Sequence, residues 1–257
     1  MSLKRVAIVT GASSGMGEAL SEDLVQRGWI VAMADIQPNV DLASKLGESA
    51  SFHTCDVSDY DSQAKCFQEV WDIYGRLDAL CANAGIVDKS SIYILDHRDS
   101  DKIPPKPDLL CTDVDYKGVV YGTQLAIHFM RKNKTPGGSI VYNFVRATSR
   151  ILKIKENIRI NCILPGIVAT KIIPPEMVAA VLPECMTPIA TIVAAYNKCL
   201  EDHSLSGEAI ECSVDKLLLV PRPEYQNGRV SKRAVTVWDP LFKMYHHELS
   251  QLPDAIA

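Results

Sequence analysis

The 257-residue chain contains no uninterrupted apolar run long enough to cross a bilayer. Its most apolar stretch, 163–196, is broken by Pro165, Lys171, Pro174, Pro175, Glu176, Pro183 and Glu184, where a span needs roughly 18 apolar residues in a row. The early apolar run stops at Gly11, which argues against a signal peptide and for a buried strand. No Lys/Arg block is present, and 27 cations against 31 carboxylates leave a net charge of −4. Neither nucleic acid nor an acidic membrane face is therefore expected as the main partner. The eight cysteines (55, 66, 81, 111, 162, 185, 199 and 212) contain no C-x-x-C, and the six histidines make no H-E-x-x-H or H-x-x-x-H pair. That excludes the usual zinc spacings, so no metal is expected. Cysteines scattered through apolar segments fit free thiols in a reducing compartment. The expectation is a soluble, cytoplasmic protein.

What is present is ordinary globular material: 47% hydrophobic and 23% charged residues, which rules out a disordered or fibrous chain. Short β-rich runs alternate with helical periods, the pattern of a parallel sheet wrapped by helices. Strands are expected at 5–10, 29–34, 51–55, 77–82, 139–142, 159–164 and 209–214, and helices at 16–26, 61–74, 108–132 and 188–200. Val6-Ala7-Ile8-Val9 is apolar at successive positions, as a strand covered on both faces must be. The fold class is α/β, a doubly wound, Rossmann-like parallel sheet in one domain over 1–220. Residues 88–106 read as a polar surface loop. In the tail, 221–257, Trp238, Leu241, Phe242, Tyr245 and Leu249 follow helical spacing. They predict an amphipathic helix docked on the body or a second subunit, with core packing preferred over a substrate lid.

Thr10-Gly11-Ala12-Ser13-Ser14-Gly15-Met16-Gly17 lies where the first strand turns into the first helix. Glycines at such a turn let backbone amides approach a pyrophosphate, and the helix N-terminus adds free N–H groups and the positive end of a dipole. Gly11, Ser13, Ser14, Gly15, Met16 and Gly17 are thus candidates for cofactor binding. Asp35 follows Gly17 by eighteen residues, at the end of the second strand, with Ile36 after it. A carboxylate there accepts both ribose hydroxyls and repels a 2′-phosphate, favouring NAD over NADP; the competing reading of Asp35 is a helix cap.

With these residues in place, the chain resembles the short-chain dehydrogenase/reductase family, and further motifs follow in the family's order. Asp56-Val57 is similar to the adenine-contacting pair, and Ala82-Asn83-Ala84-Gly85 to the N-N-A-G element with its first Asn replaced. Val119-Val120-Tyr121-Gly122-Thr123 resembles part of a central dimer-forming helix, and Pro165-Gly166-Ile167-Val168-Ala169-Thr170 the P-G-x-V-x-T loop. The resemblance runs from about Lys4 to Val214 and is nearest to fungal members similar to 15-hydroxyprostaglandin dehydrogenase. It implies that Asp56, Val57, Asn83, Ala84, Gly85, Val168 and Thr170 also hold the cofactor. It implies as well that a secondary alcohol or ketone is the substrate, and the apolar tail helix points to a small lipophilic one, such as a terpenoid, polyketide or fatty alcohol.

The pattern breaks at the chemistry. The family places a Ser after the fifth strand, a Tyr-x-x-x-Lys on the next helix and an Asn on the preceding one. No Tyr-x-x-x-Lys occurs in this chain, and the Asn position falls on Asp115. After Val141, Tyr142 leads directly into Asn143-Phe144-Val145-Arg146-Ala147-Thr148-Ser149-Arg150, which resembles the second half of the family's helix. The sixteen residues 143–158 suffice for a short crossover helix but not for an active-site loop as well. The remaining catalytic candidates are Asp115 and Tyr142, the latter in a Tyr-x-x-x-Arg with Arg146; Thr148 and Ser149 are expected on the helix surface. Three readings follow. One is an NAD-dependent alcohol dehydrogenase or ketoreductase whose chain lacks a segment. The second is an NAD-binding pseudoenzyme or regulatory module. The third is a repurposed fold in which Asp115, Tyr116 or Tyr142 moves protons. A homodimer weakened by the shortened helix is expected in each.

Overall fold

The computed structural model describes residues 4–88, 93–141 and 148–257. Seven parallel strands form the sheet: β1 (Val6–Thr10), β2 (Ile30–Asp35), β3 (Ala50–Thr54), β4 (Ala79–Cys81), β5 (Gly138–Val141), β6 (Ile158–Pro165) and β7 (Ala209–Ser213). An eighth, β8 (Lys216–Leu219), turns back antiparallel on β7, and the order across the sheet is β3-β2-β1-β4-β5-β6-β7-β8. The chain therefore reverses its direction of winding between β1 and β4, and a crevice opens at the strands' C-terminal ends there.

Burial on both faces follows from the apolar alternation within β1. Ala7 and Val9 join a core with Leu20 and Leu24 of α1 (Gly15–Gln26) and Ile192, Ala195 and Tyr196 of α7 (Ile189–Glu201). Val6 and Ile8 join a second core with Phe67 and Val70 of α3 (Tyr60–Tyr74) and Phe129 and Met130 of α4 (Gly118–Arg131). All eight cysteines are free thiols, and six of them are buried. A short α2 (Val40–Leu46) follows β2, with Asn39 as its N-cap accepting from Leu42 N–H at 2.9 Å. The helix-cap reading of Asp35 is thereby corrected: Asn39 performs that role.

The helix expected over 108–132 opens irregularly, with a π-helical stretch at Thr112–Lys117 running into α4. Close approach explains where it packs. A Cβ at Gly118 would come within 2.9 Å of Val57 O, and buried Gln63 donates from Nε2 to both Val57 O (2.7 Å) and Gly118 O (2.8 Å).

Past β5 the crossover is compressed. Helix α5 spans Ser149–Glu156, and Ser149 is buried rather than on the surface; most of the 143–150 segment expected to be helical lies outside the described residues. The hydroxyls of Thr148, Ser149 and Ser206 are buried without hydrogen-bond partners among the described residues. Beyond β8 come α8 (Gly228–Ala234) and α9 (Asp239–His246), following α6 (Pro175–Ala180) in the loop after β6. Helix α9 corrects the expectation of core packing: Trp238, Leu241, Tyr245 and Leu249 are exposed. The tail is held by polar ties instead. Arg150 pairs with Asp254, and Lys155 with Glu248 at 2.7 Å. The backbone of 237–239 exchanges hydrogen bonds with Ile256, and Ser250 and Leu252 are buried.

Candidate functional site

The glycine-rich turn is built by subtraction of side chains. Gly11 (φ +64°) and Gly15 (φ +56°) take left-handed conformations, and a Cβ at Gly17 would lie 2.1 Å from Gly11 O. No residue with a side chain fits there, so α1 begins directly under the turn. Ser14 caps α1 without a side-chain bond, which leaves the first amides of the helix for a ligand.

The loop after β4 locks this turn from the other side. Thr10 Oγ1 accepts from Asn83 N–H and Ala84 N–H, both at 3.0 Å, while Asn83 Nδ2 donates to Thr10 O at 3.0 Å and to Gly11 O at 3.3 Å. Asn83 thus shapes the cleft through its side chain. Asp35 closes the opposite wall: its Oδ2 accepts from Ser13 N–H and its Oδ1 from Gln37 N–H, each at 3.0 Å. Each oxygen keeps a lone pair free for another donor.

A cleft of about 230 Å³ results, bordered by Gly11, Ser14, Gly15, Met16, Asp35, Ile36, Asp56, Val57, Asn83, Ala84, Gly85 and Thr170. Of the other sequence candidates, Ser13 borders the adjoining cleft beyond Asp35, Gly17 lies beneath the turn, and Val168 is buried in the loop that leads from β6 to Thr170. Ile86, Cys55, Val114 and Ile172 complete the wall and were not singled out by motif. Asp56 Oδ1 accepts from both Ser58 N–H and Ser58 Oγ, which holds the turn leading to Val57.

Asp115 stands in the π-helical stretch with both carboxylate oxygens engaged. Oδ1 accepts from Ile86 N–H at 2.9 Å and Oδ2 from Cys111 Sγ at 3.2 Å. It borders a smaller cleft of about 160 Å³ with Met16, Asn83, Gly85, Pro165 and Tyr196. Burial drives the Tyr196 phenol well above its ordinary range, with the surrounding cysteines adding to the effect. Tyr142 and Arg146 lie outside the described residues. A recess of about 380 Å³, walled by Ile86, Val87, Leu110 and Ile172 and edged by Asp88, Asp108, Cys111 and Lys171, opens beside the main cleft.

The residues present fit a dinucleotide. The turn is free of side chains where phosphates approach, the helix amides are uncapped, a buried Ser13 Oγ has no partner, and a carboxylate sits at the ribose end.

Residues 5–143, more than half of the chain, match the sequence model of the short chain dehydrogenase family. The chain is 48% identical over 290 aligned positions to the short-chain dehydrogenase/reductase prx6 of Penicillium rubens, covering 98% of this chain and 97% of that protein. It is 27% identical over 202 positions to the 15-hydroxyprostaglandin dehydrogenase [NAD(+)] of Rattus norvegicus, covering 66% of this chain and 70% of that one. Among solved structures, a 3-ketoacyl-(acyl-carrier-protein) reductase from Brucella melitensis complexed with NADH superposes with a TM-score of 0.68. That match has 19% identity and covers 82% of this chain and 98% of that one.

Proposed function

The chain belongs to the short-chain dehydrogenase/reductase family of oxidoreductases, and from that premise we propose that it binds NAD and that its form with a complete set of proton-transfer residues interconverts a secondary alcohol and its ketone on a small lipophilic substrate. The observation that carries the cofactor reading is the glycine turn clamped by Asn83 and walled by Asp35. In this reading the α1 amides and Ser13 hold the pyrophosphate, Asp35 accepts the ribose hydroxyls, and Thr170 steadies the nicotinamide end. When bound, the nicotinamide ring carries the hydride. Asp35, Glu18, Glu22 and Asp41 around the ribose side disfavour the added charge of a 2′-phosphate. The recess beside the cleft, with Ile86, Val87, Leu110 and Ile172 on its wall and Asp88, Asp108 and Lys171 at its edge, suits a small lipophilic substrate that also carries a polar group.

The form that turns over carries, in this proposal, an additional segment between β5 and α5 with the proton-transfer residues. Three observations support it. The alignment to prx6 runs over 290 positions, more than the 257 residues of this chain, so the relative has residues with no counterpart here. The family match stops at residue 143. Helix α5, eight residues and about 12 Å long, covers about half of the roughly 26 Å of eight-residue β6 and starts on unpartnered buried hydroxyls.

The test pairs calorimetric titration of NAD+ and NADP+ with transcript sequencing across Ser139–Arg150. The expected result is NAD+ binding at least tenfold tighter than NADP+ (about the effect of one charge repulsion at the ribose), negligible turnover by the 257-residue chain, and extra codons in the transcript. NADP+ binding as tightly as NAD+ overturns the cofactor assignment. Turnover by the chain as it stands overturns the missing segment.

A further inference from the structure

The cleft is poor in positive charge where a pyrophosphate would lie. Glu18 stands in the first turn of α1, Glu22 follows one turn on, and Asp35 and Asp41 face them. Among the described residues bordering the main cleft and the one beyond Asp35, the cations are Lys45 and Lys171. Lys45 is already engaged, its Nζ 2.7 Å from Glu22. Lys171 is exposed and has no ion pair among the described residues.

Its backbone is nevertheless held beside the phosphate turn. Ile173 N–H donates to Thr170 O at 3.1 Å, closing a tight turn around Lys171. Thr170 itself packs so near the turn that a Cβ at Gly15 would sit 3.2 Å from its Cγ2. Lys171 consequently borders two spaces at once: the cleft with Ser13 and Ser14, and the recess it shares with Asp88, Asp108, Leu110 and Ile172.

We propose that Lys171 is the side-chain cation for the dinucleotide pyrophosphate, closing over it from the loop after β6 while the α1 amides hold it from below. This rests on the nucleotide reading given above. Backbone amides supply only partial charges to a dianion set among carboxylates, and a full charge on a flexible stem answers that deficit without a rigid geometry. Because the same loop borders the recess, nucleotide binding and the shape of the substrate side become coupled through one residue.

The experiment measures binding of ADP-ribose and of adenosine, which lacks phosphate, to the unaltered protein, Lys171→Gln and Lys171→Arg, at low and high salt. Lys171→Gln is expected to weaken ADP-ribose about five- to tenfold, as for loss of one partly screened charge contact. Lys171→Arg should hold it within about twofold, adenosine should be unaffected, and the salt dependence of ADP-ribose binding should flatten in Lys171→Gln. An unchanged ADP-ribose affinity, or an equal loss for adenosine, overturns the proposal. If the unaltered protein binds neither ADP-ribose nor NAD+, the nucleotide reading itself falls; if it binds both and Lys171→Gln matches it, only the role of Lys171 falls.

Discussion

Cys111 and Asp115, one helical turn apart in the π-helical stretch, form a thiol–carboxylate pair at 3.2 Å. The hydrogen bond to Asp115 holds the proton on sulfur, with burial adding to it, and pushes the Cys111 thiol up to about 11. A thiolate is the reactive form, so alkylation of Cys111 should be slow at pH 8 and rise only as pH approaches 11. Asp115→Asn removes the negative charge that opposes the thiolate; the rate at pH 8 should increase about tenfold, read by mass spectrometry with exposed Cys185 as internal reference. No acceleration would mean that the carboxylate is not what holds the proton. The same pair bears on Asp115 as a catalytic candidate: both its oxygens are occupied in positioning Ile86 and Cys111. Motif alignment identified its position; only the folded loop after β4 shows what it holds.

At the scale of elements, the junction of β6 and α7 is decided by one buried side chain. Arg159 donates from Nη1 to Cys199 O (2.6 Å), Asp202 O (3.2 Å) and Leu205 O (3.5 Å), and from Nη2 to Leu200 O (2.9 Å). Cys199 and Leu200 lie in the last turn of α7, where no further helix amide reaches their carbonyls, and a cation there also meets the negative end of the helix dipole. Burial lowers the guanidinium pKa, opposed by the nearby Cys199 and Asp202, yet the group stays charged at any ordinary pH. Arg159→Met should therefore cost about 3 kcal/mol in chemical denaturation, since buried carbonyls lose their donors. A cost below about 1 kcal/mol would show that water replaces the guanidinium. Nothing in the local pattern around Arg159 announces this role, because its partners lie some 40 residues away. The strands and long helices, by contrast, were legible: β1 and β2 carry unbroken apolar runs over 6–9 and 30–34, β6 and β7 keep apolar residues at alternate positions, and α3 shows the helical period through Phe67, Val70 and Trp71. The hairpin strand β8 was missed although Leu217-Leu218-Leu219 is an apolar run; it is short, lies at the sheet edge and is exposed or half-exposed throughout.

For the whole molecule, the compressed crossover sets the surface on which a second copy would pack. Helix α5 is about 12 Å long; Ile154 on it is exposed, as are Tyr116 and Val120 around the start of α4. A stable dimer buries on the order of 800 Å² per partner. A face built on so short a helix supports only weak self-association, and sedimentation velocity at low micromolar concentration should find the 257-residue chain mainly monomeric; a tight dimer would overturn this. The tail adds little rigidity of its own. Its Arg150–Asp254 pair is exposed on both sides and contributes little in salt, Lys155 is largely buried while its partner Glu248 is exposed, and the apolar side of α9 faces outward.

The sequence by itself determined the parallel α/β sheet, the glycine turn at its switch point and the loss of Tyr-x-x-x-Lys, because each is written in neighbouring residues. Apolar runs form strands, glycine is the residue that such a turn tolerates, and a missing motif is missing at any distance. Tertiary structure alone decided that Asn83 clamps the turn, that Asn39 rather than Asp35 caps α2, and that Lys171 is the unengaged cation among the described residues bordering the two clefts. It also decided that the stripe of α9 stays in solvent. These are contacts between residues tens of positions apart, and amphipathic spacing states only that a face is apolar, not that anything covers it.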